Sequence, residues 1–486
     1  MKIVSKKIVC IALVFLMTIA FVLPVYGANT RRYSYHYDFW FVDIEAVPAF
    51  ELTRVISSLN SLSAIPVQGL NDVHSGGGRL FLVDSEEGRV NVLDSDFEFV
   101  VSIRLMRCSE GRIFITEDGD QIMLNRPEGV FFHELNNELF IADAGAERIL
   151  VLDGDDFHLK RVITRPDNMA GVTSFVPSKI VVDDAGRIYM VVQGGFEGII
   201  ELTPEGEFSR YFGVGRPNVN LIDHFWRMFA TNEQREIMAR TFAPSFNNVD
   251  IDRNGFVFAT TFDPSSIYAL YRLNPRGENV LLQQGGPVIG DLRVIPGQRM
   301  SQFVDVAVND FGVYAVLDRF MNRVFIYNFE GHLMTIINHP DNMRGGLREP
   351  SGIAWFGEKL VVTDSALRIA NVYELTEFGR YAFGAQRDFY NGNWEASARQ
   401  LRRAVQLNAN FMLAYAGIGR FYLMQGEYER AMYYLRLGQD REFFSRAFNH
   451  FRNHWVQRNF PWIAMLFVII TTMVIYSEIR YHKQAV

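Results

Sequence analysis

A pattern of roughly 50 residues recurs six times between residues 77 and 383, and this periodicity constrains the fold more than any other feature of the chain. Each copy opens with Gly or a polar residue and runs through three strand-like segments separated by polar turns. Within these segments, β-branched and aromatic residues alternate with polar residues at period two, which predicts strands. The copies occupy residues 77–103, 137–163, 186–212, 255–282, 312–337 and 358–383.

Another short strand-like segment precedes most copies, usually opened by Pro or Asn with a polar residue. Its apolar anchors are spaced 50, 69, 55 and 49 residues apart and are Val130, Ile180, Val249, Val304 and Ile353. Four strands in each of six units predict a mainly β fold, a six-bladed β-propeller over residues 28–384. Because an open array of sheets would leave unpaired edges, we expect residues 37–56 to supply the outer strand of the last blade.

Composition excludes several classes of protein. With 49% hydrophobic and 14% aromatic residues the chain is not disordered, since disordered chains lack the apolar surface to offset the entropy of folding. The formal charge of −7 argues against nucleic-acid binding through a general basic field. Two cysteines, of which Cys10 lies in the leader, cannot form a disulfide framework.

An Asp closes the second strand of several copies, and an Arg opens the third. These pairs are Asp84 and Arg89, Asp143 and Arg148, Asp318 and Arg323, and a looser copy at Asp364 and Arg368. In this motif residues 35–384 resemble the NHL-repeat propellers, although Gln193 and Phe262 stand at the Asp place in copies three and four. We interpret the Asp as an acceptor for backbone N–H groups in a tight turn, and the Arg as a tether to the neighbouring blade. The alternative is that these charges ring the channel mouth and bind a carbohydrate or peptide ligand.

No catalytic residues are predicted, because the chain lacks a Gly-x-Ser-x-Gly elbow, a His-Glu-x-x-His motif and a phosphate-binding Gly loop. Six-bladed propellers also include gluconolactonase-type lactonases, and that resemblance implies a divalent metal held near the central channel. Glu128, Asn248 and Asp250 occupy loosely comparable places, and their oxygen atoms would suit Ca²⁺ or Mg²⁺. A protein without a cofactor is the favoured hypothesis, and a tethered metal-dependent hydrolase is the alternative.

The longest segment between blades, residues 213–245, predicts one or two short helices. Phe225 and Trp226 would share one apolar helical face. That face either packs down on the propeller or serves as an exposed anchor for a partner.

After residue 384 the period changes from two to that of a helix. Residues 389–410 align with residues 421–440 at an offset of 34. The matched pairs are Gly392 with Gly426, Trp394 with Tyr428, Leu401 with Leu435, and Ala404 with Gly438. The segment resembles a pair of tetratricopeptide repeats over residues 385–458, in which small residues let helices pack closely. Residues 441–457 are expected to cap the pair and to lead into the next segment.

Both ends of the chain carry apolar runs. Three lysines, an apolar run and small residues before position 28 predict a secretory signal peptide over residues 1–27, with an uncleaved anchor as the alternative. An uncharged run over residues 459–477, flanked by aromatic residues, predicts one transmembrane helix followed by a cytoplasmic tail over residues 478–486. The expected location is therefore a cell membrane, with the propeller outside the cytoplasm. An exported chain without an internal disulfide fits a bacterial envelope better than a eukaryotic secretory pathway.

Charge is divided along the chain. Residues 385–460 carry 11 Arg, no Lys and 6 acidic residues, and residues 28–384 have a net charge of −16. The basic neck could meet anionic lipid head groups or an acidic partner subunit. Since NHL propellers and tetratricopeptide repeats are, by resemblance, interaction modules, we expect a non-enzymatic recognition or scaffold protein. Its expected partners are the membrane and other envelope proteins, possible carbohydrate or peptide ligands, and by analogy a transport system, but no nucleic acid.

Overall fold

The computed structural model describes residues 34–37, 43–58, 67–108, 121–169, 175–194, 198–213, 245–262, 266, 268–281, 290, 301–338 and 344–484. The predicted signal peptide lies outside these residues. The described residues begin with a short hairpin and a longer strand. These are β1 (Tyr35–Tyr37), β2 (Asp43–Glu45) and β3 (Phe50–Ile56).

Six antiparallel sheets follow in chain order, and they form the blades of a six-bladed propeller. Blade 1 contains β4 (Leu70–Gly76), β5 (Arg79–Asp84), β6 (Arg89–Leu93) and β7 (Phe99–Ile103). Blade 2 contains β8 (Pro127–His133), β9 (Glu138–Asp143), β10 (Arg148–Asp153) and β11 (Leu159–Ile163). Blade 3 contains β12 (Pro177–Val182), β13 (Ile188–Val192), β14 (Ile199–Leu202) and β15 (Phe208–Phe212). Blades 4 to 6 contain β16 (Phe246–Ile251), β17 (Val257–Thr261) and β18 (Leu270–Leu273); β19 (Phe303–Val308), β20 (Tyr314–Asp318), β21 (Arg323–Tyr327) and β22 (Leu333–Ile337); and β23 (Pro350–Phe356), β24 (Lys359–Asp364) and β25 (Ile369–Leu375).

The second strand of each blade is buried on both faces, because a neighbouring blade covers each side of the sheet. In β5, Leu80, Phe81, Leu82 and Val83 are all fully buried, and this strand reads as a continuous apolar run. Large rings fill the space between blades. Phe81 stacks on Phe132 of the next blade with ring centroids 5.7 Å apart. The high aromatic content is therefore partly a property of blade packing.

The ring is closed by the N-terminal strand, as the sequence predicted for residues 37–56. β3 pairs antiparallel with β25, with Ile56 opposite Ala370 and Phe50 opposite Leu375. The first and last blades thus meet through residues that are distant in sequence. This pairing covers the outer edge of blade 6 and leaves no exposed ladder on that side of β25.

The sixth sequence copy differs from the other copies at its end. Its last residues, expected as a strand, instead begin a helix, α1 (Glu377–Tyr390). The Thr376 hydroxyl oxygen caps this helix by accepting a hydrogen bond from the Gly379 N–H at 3.1 Å. Because β3 already occupies the outer position of blade 6, the chain leaves the sheet after β25.

A small helical region follows the propeller. Its other helices are α2 (Trp394–Leu407), α3 (Met412–Met424), α4 (Tyr428–Leu437) and α5 (Arg441–Gln484). The turns before α2 and α4 correspond, since Gly392 and Gly426 have left-handed φ angles of 79° and 74°. The 34-residue offset in the sequence therefore marks a repeated helix–turn–helix unit.

The helical region docks on the propeller through the turns that join first to second and third to fourth strands. Phe50 packs on Phe383 and Trp355, and Phe329 stacks on Phe389 with centroids 5.5 Å apart. By the antiparallel topology, the Asp–Arg turns and the long segments between blades lie on the opposite face.

Polar contacts tie the same two parts together. The Asn254 Nδ2 donates to the Tyr390 hydroxyl at 2.8 Å, and Arg387 pairs with Glu358 at 2.8 Å. Both Glu330 oxygens accept hydrogen bonds from Arg420 on α3 at 2.9 Å. Three blades therefore contribute to the docking surface.

The last helix, α5, is long and apolar enough to cross a membrane. None of its most apolar stretch is buried against the rest of the protein. Trp462, Phe467 and Met473 have 67%, 71% and 66% of their surface exposed. The N-terminal part of α5 packs on α4 through Ala447, whereas this apolar stretch does not contribute to a soluble core.

Candidate functional site

The innermost strands of all six blades share a β-bulge near their first residue. In β4, Leu70 pairs with Asp84 but Asp72 pairs with Val83, so Asn71 is an extra residue. The same register shift occurs in the other five inner strands. It makes the third residues of these strands equivalent, and they are Asp72, Gly129, Lys179, Asn248, Asp305 and Gly352.

The four of these residues that have side chains line a cavity of about 1040 Å³ between the inner strands, the central channel of the propeller. Asp250 and His74 line it as well. At one end the cavity reaches the turns near α1, where Arg387 and Leu135 are among its lining residues. Leu135 is 69% exposed, so the channel opens on the face that carries the helical region.

The two glycines at this position are required because the inner strands of adjacent blades approach each other closely there. A Cβ atom at Gly129 would lie 2.4 Å from the Ser178 carbonyl oxygen of the next blade. A Cβ atom at Gly352 would lie 3.0 Å from the backbone nitrogen of Val73. Inner strands of adjacent blades therefore come together most closely where no side chain intervenes.

The carboxylates of the channel bind backbone N–H groups on the next blade. Asp72 accepts from the Val130 N–H at 3.1 Å, and Asp305 accepts from the Ile353 N–H at 2.7 Å. Asp250 accepts from the Val308 N–H at 2.7 Å. The inner edge of each inner strand has no strand partner, so these side chains satisfy groups that would otherwise depend on water.

Three carboxylates line the channel together with one lysine. Asp72 and Asp305 are buried, and Asp250 is half-buried. Lys179 forms an ion pair with Asp72. Burial raises the pKa of Asp72, although Lys179 opposes this rise, and it raises the pKa of Asp305 well above the usual range. Burial also raises the pKa of Asp250 to about 7 and lowers the pKa of His74 to about 4.

The raised pKa of Asp250 predicts a specific pH dependence of stability. The folded protein holds the Asp250 proton up to about pH 7, whereas the unfolded chain loses it near the ordinary pKa of 3.8. The contribution of this group to stability therefore falls as pH rises from the lower to the higher of these two pKa values. We expect Asp250→Asn to gain stability relative to the native protein by up to about 1.4 kcal/mol per pH unit across that window. Urea unfolding of both proteins at several pH values measures this difference. The titration of His74 affects both pH profiles equally and cancels when they are compared. Parallel pH profiles would contradict it.

The predicted Asp residues of the repeated motif are fully buried. Asp84 accepts from the Gly69 N–H at 3.0 Å and pairs with Arg89 at 3.2 Å. Asp143 accepts from the Asn125 N–H at 2.7 Å and pairs with Arg148 at 2.9 Å. These carboxylates are directed to the backbone that enters each blade, while ligand binding by this face stays a prediction.

The other two copies of the motif have different partners. Asp364 accepts from the backbone N–H groups of Glu349 and Leu367, at 2.9 and 2.8 Å. Asp318 accepts from the N–H groups of Gln302 and Phe320. Arg323 instead donates to the Tyr35 hydroxyl at 2.7 Å and lies over its ring, because the β1–β2 hairpin packs beside blade 5.

Loss of one motif carboxylate should destabilise the propeller. Asp143→Asn keeps the size of the side chain but removes a buried charge that binds Arg148, so we expect the free energy of unfolding to fall by about 2 kcal/mol. Thermal and urea unfolding measure the loss. Asp155→Asn, at an exposed position of the same blade, is the matched control and should change stability by less than about 0.5 kcal/mol. Equal effects would contradict a structural role for Asp143.

The strand register corrects the assignment of the Asp position in blades 3 and 4. Pro177 pairs with Val192, and Phe246 pairs with Thr261, as Leu70 pairs with Asp84. The equivalent residues are therefore Val192 and Thr261, and not Gln193 and Phe262. The sequence alignment was wrong by one residue because it lacked the register.

The residues considered for a metal do not all line one cavity. Asn248 and Asp250 line the channel, whereas the Glu128 carboxylate pairs with Arg126 at 3.3 Å and accepts from Gln193. This arrangement does not favour the lactonase alternative. Phe225 and Trp226 lie outside the described residues.

Sequence reasoning missed Asp72, Lys179 and Asp305. The signal was present, since each residue stands immediately before an apolar anchor of an inner strand. The sequence analysis placed the anchor of blade 5 at Val304, and this choice concealed the pattern. The register shows that Val306 is the residue equivalent to Ile180. An alignment shifted by two residues would have matched Asp305 with Lys179.

Comparisons with known proteins concern the propeller. No family model and no curated protein matches the chain. Among solved structures, a selenomethionine-substituted virginiamycin B lyase from Staphylococcus aureus is 12% identical with a TM-score of 0.41, covering 67% of this chain and 100% of its own. The hydrazine synthase of Kuenenia stuttgartiensis is 12% identical over 64% of this chain and 96% of its own, with a TM-score of 0.39. The Cps50 (Swd1) β-propeller domain of Myceliophteria thermophila is 12% identical over 67% of this chain and 100% of its own, with a TM-score of 0.40. At these identities and TM-scores the likenesses carry no conclusion about what this chain binds or does.

Proposed function

We propose that this protein is a membrane-anchored extracytoplasmic recognition or scaffold protein without catalytic residues of its own. The observation that carries this proposal is the docking of the helical region on one face of the propeller. The same region continues without a break into the exposed apolar helix α5. A propeller tethered in this way presents its opposite face to partners.

The proposed organisation is a signal peptide at residues 1–27, an NHL-like propeller at 28–384, a tetratricopeptide-like neck at 385–458, an anchor at 459–477 and a tail at 478–486. Exposed apolar side chains on α5 support the anchor, since such a surface is stable in lipid and not in water. The exported side follows from the lysine-rich N-terminal leader in the sequence.

The partner is proposed to be another envelope protein, or a carbohydrate or peptide ligand, held on the propeller face opposite the neck. The arginine-only neck adds a second surface beside the anchor. Exposed arginines such as Arg399 and Arg430 form weak surface ion pairs, so their guanidinium groups are available to lipid head groups or to an acidic partner. A neighbouring transport system is one such partner by analogy.

Two experiments test this proposal. Protease added to intact cells should release the propeller, and protection of the propeller would contradict the orientation. Crosslinking in native membranes followed by mass spectrometry should identify reproducible protein neighbours. A variant with the neck arginines changed to glutamine is crosslinked for comparison. If neither the native chain nor this variant yields a reproducible neighbour, the scaffold role is wrong.

A further inference from the structure

The positively charged side chains in and around the central channel are already paired with carboxylates. Lys179 is paired with Asp72, Arg253 with Asp310 at 2.7 Å, and Arg272 with Asp252 at 2.8 Å. Across the described part of the chain, no Lys or Arg nitrogen lies within 4.0 Å of the carboxylates of Asp250 or Asp305. Low-dielectric walls focus the field of such groups into the cavity.

Three other polar atoms on residues that line the same cavity have no hydrogen-bond partner among the described residues. The Asn248 Nδ2 is one, on a side chain that is only 2% exposed. Both ring nitrogens of His133 are the others, on a side chain that is 4% exposed. A buried donor or acceptor left unpaired costs about 1–3 kcal/mol. These groups are independent of the carboxylates and indicate that the cavity is built to hold a polar occupant.

The spacing of the carboxylates does not suit a single metal ion. Among the residues described, Asp72, Asp250 and Asp305 do not bring three ligand atoms within 4.8 Å of one another. The group that does so is Asp153, Asp156 and His158 at a surface turn, with two carboxylate oxygens and one imidazole nitrogen. The cavity of about 1040 Å³ is large enough for an organic molecule. Phe131 and Trp355 contribute aromatic surface to its wall, and aromatic faces attract ammonium groups.

We propose that the central channel binds a small organic cation with two or more amino groups, whose ammonium groups pair with Asp250 and Asp305. Asn248 and His133 would contact its polar atoms, and Phe131 and Trp355 its methylene groups. This site goes beyond the proposed recognition role, and its test needs no protein partner. The opening beside Leu135 provides the route to the channel.

Binding of such a cation must be linked to proton release. The titratable groups that interact with Asp250 and Asp305 are Asp72 on the inner strand of blade 1, Lys179 on that of blade 3, and Asp252 directly after the strand that carries Asp250. An ammonium group in the cavity favours ionised carboxylates, so affinity should increase with pH as Asp250 and Asp305 lose protons.

The full-length protein in detergent micelles allows a direct test by isothermal titration calorimetry with putrescine at about pH 8. We expect saturable binding of putrescine and none of 1,4-butanediol, which has the same length and no charge. The Asp250→Asn, Asp305→Asn double variant should bind putrescine at least about tenfold more weakly. Asp155→Asn, on the surface of blade 2, should bind it as the native protein does.

Several results would overturn this proposal. They are equal binding of the diol, unchanged affinity in the double variant, no binding of putrescine at all, and tight binding of CaCl₂ that excludes putrescine. If the double variant does not fold, the native protein decides, because its affinity for putrescine must fall between about pH 8 and pH 5. Affinity that is constant over this range would also overturn it.

Discussion

Ile56→Asp is expected to open the propeller at the joint between its last and first blades. Ile56 is fully buried at the end of β3, in a cluster with Leu70, Leu82 and Val372. The substitution removes the burial of an isoleucine and places a carboxyl group without a partner in an apolar site, so we expect a loss of at least about 4 kcal/mol. Urea unfolding and limited proteolysis of the full-length protein measure this loss.

The matched control introduces the same residue on the same strand. Thr53 is exposed, and Thr53→Asp should cost less than about 1 kcal/mol because only strand propensity and one weak hydrogen bond change. If both variants unfold at the same urea concentration, closure by β3 does not hold the ring together.

Arg420→Ala is expected to loosen the helical region from the propeller. The guanidinium of Arg420, 13% exposed, joins Glu330 of blade 5 at 2.9 Å to Asp440 at 2.9 Å and lies over the Phe443 ring. Removing it leaves two largely buried carboxylates without a cation, which typically costs about 3 kcal/mol or more. Hydrogen exchange should show faster amide exchange in α1 to α4 while the inner blade strands stay protected.

An exposed arginine on the same helical region provides the control. Arg399 pairs with Glu395 at 2.8 Å, but the two side chains are 61% and 76% exposed. Arg399→Ala should therefore change stability by less than about 0.5 kcal/mol. If Arg420→Ala and Arg399→Ala show equal exchange rates in α1 to α4, Arg420 does not hold the helical region on the propeller.

Much of the fold was predictable because its signals are local and repeated. Strand periodicity, the turns between strands and the six copies were sufficient for a propeller, and the need to cover an edge was sufficient to predict β3 as the closing strand. The helix that begins at Glu377 was not predicted. Its residues follow a repeat pattern, and only the occupied edge of blade 6 makes a further strand there impossible.

The candidate site was less predictable than the fold. Along the sequence, Asp72 lies more than 100 residues before Lys179, and Lys179 lies more than 100 residues before Asp305. Each of them looks like an ordinary polar residue at the start of a strand. Their meeting depends on a bulge in each inner strand and on Gly129 and Gly352, which let blades approach. Neither the register nor the bulge has a reliable signal in one sequence.

The sequence by itself therefore determined which segments become strands, how often the unit repeats and where an exposed apolar helix begins, because these depend on side-chain periodicity within short windows. Tertiary structure decided which charges meet. Arg89 and Arg148 bind their own Asp, whereas Arg323, in the same motif, turns to Tyr35 because the N-terminal hairpin lies beside it. The physical reason is that an ion pair depends on separations of a few ångströms, and only packing of distant segments sets such distances.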